Sequence, residues 1–176
     1  TECDILYGSR KLHVIIPAYG KHMIYAALEG AAAGFLLGMS DTDIVEGIAD
    51  FKNVGRRAAM VNTSFLTIID DCYNANPESV KCGIDSLCSL PGRKVCILGD
   101  MLELGEDSPE MHREIGKYAV EKRIDLVLTS GVLAKMIAEE APCSVAYATT
   151  EALLNDLVNQ VLPGDVILVK ASRAMN

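Results

Sequence analysis

Short polar segments follow apolar runs at four places in the chain, and they contain the side chains that could do chemistry. Carboxylates, amides and two cationic side chains gathered in one place would suit an anionic ligand, with or without a divalent ion. Polar residues also end the strands of any soluble α/β domain, so a purely structural interpretation stays open. The segments contain Asp70, Asp71, Tyr73, Asn74, Asn76, Gly99, Asp100, Met101, Glu103, Gly105, Ser130, Gly131, Lys170, Ser172 and Arg173.

Acidic residues and one histidine crowd the stretch 100–112, which raises the question of a metal site. Their spacing matches neither a zinc site nor an EF-hand loop, and acidic residues are favoured in the first turn of a helix by its dipole. We therefore predict no metal site built by this chain alone. Neither G-x-x-x-x-G-K-[ST] nor G-x-G-x-x-G occurs, so the chain carries no phosphate-binding loop of its own.

An alternation of apolar runs and helix signals after residue 55 predicts the elements that position these segments. Asn76-Pro77 and Ser108-Pro109 each open a predicted helix. Short, continuously apolar strands are typical of a parallel sheet covered on both faces, so we predict a doubly wound, mostly parallel, Rossmann-like α/β sheet. Ligands bind at the carboxyl ends of such strands. The predicted strands are 58–62, 65–70, 94–99, 124–131, 144–149 and 165–171, and further helices are predicted at 132–140 and 151–161.

The first 52 residues have a different character. The pattern predicts one strand at 12–17, a helix at 22–38 rich in Ala and Gly, and a helix from Ser40 to about Phe51. One strand and two helices cannot close a core of their own. We therefore expect residues 1–52 to be the mainly helical tail of a larger domain, residues 53–176 to be a separate α/β domain, and the chain to be a piece of a longer protein.

Composition excludes several classes of function. The net charge is −8 and half of the residues are hydrophobic, which opposes binding to nucleic acid or to an anionic membrane. The longest apolar stretch, 24–39, is too short to span a bilayer and contains Glu29. No membrane insertion is expected.

Two motifs resemble those of the Mur ligase family: D-x-Y-N-A-N-P at 71–77 and G-D-M-x-E-L-G at 99–105. A downstream His112 and a closing Lys-x-Ser-Arg at 170–173 extend the resemblance. It is strongest to the branch that joins D-alanyl-D-alanine to the UDP-N-acetylmuramoyl tripeptide. The segment 20–23 resembles the end of the family's central ATPase domain, and 55–57 resembles the junction into its C-terminal domain.

The resemblance implies a three-domain cytoplasmic enzyme of peptidoglycan precursor synthesis. In this family ATP phosphorylates a substrate carboxylate, and an amine then attacks the acyl phosphate. The implied substrates are the UDP-tripeptide and D-Ala-D-Ala, and the implied structural partners are upstream domains of the same chain. The P-loop and the Mg²⁺ ligands would lie in the upstream part. The resemblance therefore assigns no catalytic residue to this stretch, which is not expected to turn over alone.

The family pattern also implies a role for individual residues. His22 would lie near the adenine, Arg57 near the nucleotide phosphates, and Asp71 would accept hydrogen bonds from the ribose hydroxyls. The same nucleotide face would be shaped by Tyr73, Asn74 and Asn76. The residues facing the incoming dipeptide or the substrate carboxylate would be Asp100, Glu103, Lys170, Ser172 and Arg173.

The chain departs from the family pattern at two positions. Ala26 stands where the family usually has an Asn that reads the adenine, so adenine selectivity is expected to weaken or to pass to His22 and backbone groups. Ala171 replaces the Gly of the closing motif. If that position requires a positive φ, Ala would cost about 1 kcal/mol there.

Two other functions remain open from the residues alone. A phospho-acceptor receiver domain places acids, a hydroxyl and a lysine after successive strands, and Asp70, Asp71, Asp100, Ser130 and Lys170 mimic that order. Against it, the acidic pair follows the second predicted strand, and no Pro follows Lys170. The second alternative is a non-catalytic docking module.

Overall fold

The computed structural model describes residues 1–18, 20, 22–52 and 58–175. The chain divides into two compact units, Thr1–Val54 and Gly55–Asn176. None of the helices in the described part of the chain combines the length and the apolar character needed to cross a membrane.

The first unit is a β-hairpin with two helices. Its strands β1 (Glu2–Tyr7) and β2 (Arg10–Ile15) pair antiparallel, and its helices are α1 (His22–Leu36) and α2 (Asp41–Ala49). The prediction of a single strand is wrong because it missed β1. That strand buries only Ile5, so it lacks the alternation of apolar and polar residues by which a half-buried strand is recognised.

The first unit also has a core, contrary to the expectation that this segment could not close one. Leu12 and Val14 of β2 pack in one buried cluster with Ala31 of α1 and Ile44 of α2. Gly34 allows close packing, since a Cβ there would lie 2.8 Å from Cγ1 of Ile44. The missed strand explains the error, because the hairpin supplies the second layer that one strand could not.

The second unit is built around a mixed sheet with the strand order β3-β4-β8-β5-β6-β7. The edge strand β3 pairs antiparallel with β4, and the other neighbours are parallel. This confirms the predicted doubly wound, mostly parallel fold. The strands are β3 (Ala59–Asn62), β4 (Thr67–Asp70), β5 (Lys94–Gly99), β6 (Leu126–Ser130), β7 (Ser144–Tyr147) and β8 (Val166–Lys170), and the helices are α3 (Pro77–Cys88), α4 (Ser108–Glu121), α5 (Lys135–Glu140) and α6 (Thr150–Gln160).

The direction of the crossovers explains why helices lie on both faces of this sheet. Residues of α3, α4 and α5 belong to one buried cluster, which lies on one face of the sheet. Leu153 of α6 belongs to a second cluster, which lies on the opposite face. Crossovers keep one hand, so a helix changes face when the chain reverses its direction across the sheet. Leu168 and Ile167, consecutive residues of β8, accordingly point to the two different clusters.

The last strand, β8, lies inside the sheet between β4 and β5. This placement contradicts the receiver interpretation, because receiver-type sheets have the order 2-1-3-4-5, with the last strand at the edge. It also brings the carboxyl ends of β4, β8, β5 and β6 side by side. The polar segments that follow these strands are therefore neighbours.

Candidate functional site

A cleft of about 650 Å³ opens at the carboxyl edge of this sheet. Its walls come from the segments that follow β4, β5 and β8. The Arg173 guanidinium lies 5.9 Å from the centroid of the Tyr73 ring, within the range of a cation–π contact. Five residues predicted from sequence are thereby brought together. The lining residues are Tyr73, Asn74, Leu102, Glu103, Ser172, Arg173 and Ala174.

Lys170 and Asp71 form an ion pair next to this cleft without lining it. Lys170 is only 3% exposed, and its Nζ donates to Oδ2 of Asp71 at 2.5 Å and to the carbonyl oxygen of Asn74 at 2.9 Å. The other carboxylate oxygen of Asp71 accepts a hydrogen bond from the backbone N–H of Ala58 at 3.0 Å. The sequence predicted a ligand-facing lysine, whereas the structure places its ammonium against the loop that forms one wall.

Asp100 is turned away from the cleft and anchors the turn before α5. Its carboxylate accepts backbone N–H groups of Val132 at 3.2 Å, Leu133 at 3.0 Å and Ala134 at 2.6 Å. Position 131 must be glycine, because a Cβ there would overlap the carboxylate of Asp100. These bonds also explain why α5 begins three residues later than predicted. The predicted contact of Asp100 with substrate stays a prediction.

His112 holds the backbone that follows β5. Its ring is fully buried; Nε2 accepts the N–H of Met101 at 2.9 Å, and Nδ1–H donates to the carbonyl of Ser108 at 2.6 Å. This arrangement requires the neutral ring with its proton on Nδ1. Sequence reasoning gave His112 no role. The available signal was its position three residues before the buried Ile115 on one face of α4, because a buried histidine must find two partners.

Ser172 fixes Leu102, the residue after Met101 in the loop that follows β5. Its Oγ accepts the N–H of Leu102 at 2.8 Å, and its backbone N–H donates to the carbonyl of Asp100 at 3.1 Å. Glu103, which follows Leu102, has a φ of 64°, in the left-handed region that disfavours a branched or long side chain. The side chains of His112 and Ser172 thus accept the consecutive backbone N–H groups of Met101 and Leu102. These bonds fix the backbone directly before Glu103, which lines the cleft.

Of the remaining predicted site residues, Asn76 is described and does not line the cleft. Asn76 caps α3, as predicted: its side-chain oxygen accepts the N–H of Ser79 at 2.8 Å, and the Ser79 hydroxyl accepts its N–H at 3.1 Å. Arg57 lies outside the described residues. The same holds for the side chain of His22, whose backbone begins α1.

Ala171 carries no backbone strain. Among the described non-glycine residues, positive φ occurs at Ala58, Glu103 and Arg123 and not at Ala171. The methyl group faces Gly99 instead: a Cβ added to Gly99 would lie 2.7 Å from that of Ala171. The condition for a strain cost is therefore not met. Ala26, the other departure from the family pattern, is exposed on α1.

Within the described ranges, no three His, Cys, Asp or Glu side chains converge as a metal site would require. Two residues of the stretch 100–112 are engaged by the backbone: Asp100 accepts the N–H groups before α5, and His112 bonds to Met101 and Ser108.

A protein-family model described as "Mur ligase, glutamate ligase domain" matches residues 56–173. The chain belongs to the Mur ligase family, as the two motifs indicated.

Two relatives that carry the same enzyme name match both units of the chain. The UDP-N-acetylmuramoyl-tripeptide–D-alanyl-D-alanine ligase of Bacillus subtilis is 38% identical, over 91% of this chain and 37% of that protein. The enzyme of the same name from Escherichia coli is 32% identical, over 99% of this chain and 39% of that protein. The chain thus spans less than half the length of these relatives.

Solved structures agree with this assignment. A crystal structure of MurF from Acinetobacter baumannii superposes with a TM-score of 0.93 at 28% identity, covering 99% of this chain and 40% of that one. MurF from Thermotoga maritima, solved in complex with ADP, has a TM-score of 0.82 at 25% identity and covers 99% and 43%.

Proposed function

We propose that the complete protein is a cytoplasmic ATP-dependent ligase that joins D-Ala-D-Ala to UDP-N-acetylmuramoyl tripeptide in peptidoglycan precursor synthesis. Residues 1–52 would be the tail of its central ATP-binding domain, and 53–176 its C-terminal domain. One observation carries the proposal. The motif segments near 73, 103 and 173, far apart in sequence, line a single cleft at the carboxyl edge of the sheet, where α/β sheets bind ligands.

The proposed reaction has two balanced steps. The substrate carboxylate attacks the γ-phosphorus of ATP, giving an acyl phosphate and ADP. The amine of D-Ala-D-Ala then attacks the acyl carbon, phosphate leaves with the C–O bond electrons, and the amine loses a proton as the amide forms. Phosphoryl transfer depends mainly on positioning and charge stabilisation. The role of this domain would be to orient the nucleotide and the dipeptide.

The charges of the cleft suit a zwitterionic dipeptide. Glu103 and Arg173 line the same cleft with opposite charges. Arg173 would pair with the dipeptide carboxylate, since guanidinium and carboxylate form charge-assisted hydrogen bonds, and Glu103 would face the amino group. Ser172 would position the Glu103 loop, and Asp100 and Lys170 would support the walls on which these residues lie.

The nucleotide would lie against the loop after β4. Asp71 would accept hydrogen bonds from the ribose hydroxyls, and Tyr73 and Asn74 would shape the surface beside it, with Asn76 fixing the start of α3. Arg57 would bind the phosphates and His22 the adenine. The P-loop and Mg²⁺ site are expected upstream, so no step is assigned to a metal here.

The exposed apolar surface of the first unit supports its assignment to a larger domain. Leu6, Ile15, Tyr25, Leu36 and Leu37 are all between 59% and 85% exposed. Such a concentration of exposed large apolar side chains is unusual for a finished surface. We propose that upstream segments of the same protein cover it.

The test uses the full-length protein, assayed with UDP-tripeptide, D-Ala-D-Ala and ATP. We expect phosphate release that requires both substrates, and a product heavier by the dipeptide residue mass on mass spectrometry. Asp71→Ala should raise the KM for ATP by more than about tenfold, because it removes the charged acceptor of both ribose hydroxyls and each such hydrogen bond is worth about 1.5 kcal/mol. The 176-residue chain alone should show no ATP turnover.

Two outcomes would count against the proposal. Full-length protein without dipeptide-dependent phosphate release would refute the reaction. Normal ligase activity in Asp71→Ala, Glu103→Ala and Arg173→Ala variants would instead favour the non-catalytic docking module for this domain. Glu121→Ala, which changes an exposed carboxylate at the end of α4, is the matched control for a general effect of losing charge.

A further inference from the structure

We infer that Lys170 is a positioning residue that holds the loop 71–74 in the conformation that binds the ribose, acting through Asp71. This rests on the proposed nucleotide site and goes beyond it, since Lys170 is not given any contact with a ligand. The argument starts from its burial. A lysine that is 3% exposed carries a charge removed from water, which is retained only where the surroundings satisfy it.

The loop after β4 provides acceptors for the whole ammonium group. Nζ lies 2.5 Å from Oδ2 of Asp71, 2.9 Å from the carbonyl oxygen of Asn74 and 3.4 Å from that of Asp71. An ammonium has three N–H donors, so one short loop uses all of them. Lys170 therefore binds both ends of the turn between Asp71 and Asn74.

The aliphatic part of Lys170 is fixed from the other side. A Cβ added to Gly83 of α3 would lie 3.7 Å from Cδ of Lys170 and 3.1 Å from a methyl group of Leu168. Helix α3 thus packs directly over the strand and over the lysine stem. The position of the ammonium is set by the sheet and the helix, and the loop follows it.

The carboxylate that Lys170 holds keeps capacity for a ligand. A carboxylate offers about four lone-pair positions. Among the described residues, Lys170 uses one and the N–H of Ala58 uses another. Counting contacts of the described residues alone, two positions remain on a side chain that is 20% exposed, which matches the two neighbouring hydroxyls of a ribose. Lys170 orients the carboxylate so that these positions face outward.

The test uses full-length protein and compares ATP with 2′-deoxyATP. We expect the wild type to favour ATP in kcat/KM by about tenfold, the value of one hydrogen bond to a charged acceptor. Lys170→Met should bring this ratio close to one and should raise the KM for ATP more than the KM for D-Ala-D-Ala. Asp71→Asn should reduce the ratio similarly, and the double variant should be no worse than either single one. Lys170→Arg, which keeps the charge, should restore part of the preference.

Lys94→Met is the matched control. Its Nζ also donates to backbone carbonyls, those of Leu90 and Gly92, but at the amino end of β5. It should leave the ATP preference unchanged. A folded Lys170→Met with the wild-type ratio, or with an altered KM for D-Ala-D-Ala alone, would overturn the inference.

Two further measurements test the role of Lys170 even if Lys170→Met does not fold or the full-length protein has no ligase activity. If Lys170→Met does not fold, Lys170→Arg must change the ATP preference more than the dipeptide KM, and an unchanged preference would overturn the inference. If the full-length protein has no ligase activity, the proposed reaction fails. Calorimetry with ADP and 2′-deoxyADP on the same variants would then test Lys170 by the same ratio.

Discussion

Gly99 ends β5 opposite Ala171, and the space between them is too small for two methyl groups. A Cβ on Gly99 would lie 2.7 Å from the Cβ of Ala171 and 3.5 Å from Cε of Met175. Normal carbon contacts are about 3.5 to 4.0 Å, so Gly99→Ala forces two neighbouring strands apart locally by almost 1 Å. We predict that this single change is destabilising and that exchanging the two residues is not.

The expected magnitudes follow from the overlap. Overpacking in a core costs about 1 to 3 kcal/mol, and replacing Gly by Ala in a strand returns about 0.5 to 1 kcal/mol. Gly99→Ala should therefore lower the free energy of unfolding by about 0.5 to 2 kcal/mol. Ala171→Gly alone should cost about 0.5 to 1 kcal/mol. The double variant removes the overlap and exchanges the two backbone terms, so it should lie within about 0.5 kcal/mol of the wild type.

Urea denaturation followed by far-UV circular dichroism, fitted for the transition of the second unit, measures these differences. The control is Gly164→Ala, where φ is 87° but no atom lies within 4 Å of the added Cβ. This variant should show backbone strain that Ala171→Gly does not relieve. Additive effects of Gly99→Ala and Ala171→Gly would refute the reasoning, because independent sites do not rescue each other.

Two further predictions concern histidines. His112→Leu should destabilise the second unit by about 1 to 3 kcal/mol, because it leaves the N–H of Met101 buried without its partner. The control is Lys117→Ala, an exposed change on the same helix, which should alter the free energy of unfolding by no more than about 0.5 kcal/mol in the same denaturation experiment. Equal effects of the two variants would contradict the role given to His112. Hydrogen bonding to Asp4 raises the pKa of His13 above its ordinary value of 6.5, and Lys11 and His13 lower the pKa of Asp4 below 3.8. The hairpin should therefore be most stable between these two values, losing stability as pH rises through the raised His13 pKa and as it falls through the lowered Asp4 pKa; an NMR titration placing the His13 pKa at or below 6.5 would contradict this.

Local signals in the sequence predicted most elements of the second unit. Strand β5 was predicted with the bounds observed, and the start of α3 followed from the Asn76 cap and Pro77. These signals are reliable because a continuous apolar run and a cap each act within a few residues. The start of α5 was predicted too early, since Asp100, more than thirty residues away, binds the turn that precedes it.

The candidate site was predicted in part. The motifs identified the segments and the family, and the structure brings Tyr73, Asn74, Glu103, Ser172 and Arg173 to one cleft. Sequence could not show which polar side chains face that cleft. Lys170 lies buried against the adjoining loop, because the partner it needs is 99 residues away and is brought near only by strand pairing.

The sequence by itself determined the residue chemistry, the family and the positions of most helices and strands, since apolar periodicity and capping are properties of neighbouring residues. Only the tertiary structure decided that β8 lies between β4 and β5, and that His112 and Lys170 support loops. The physical reason is that a buried polar group must find its partners wherever the packed chain places them. Those partners lie on other elements, and no local pattern specifies them.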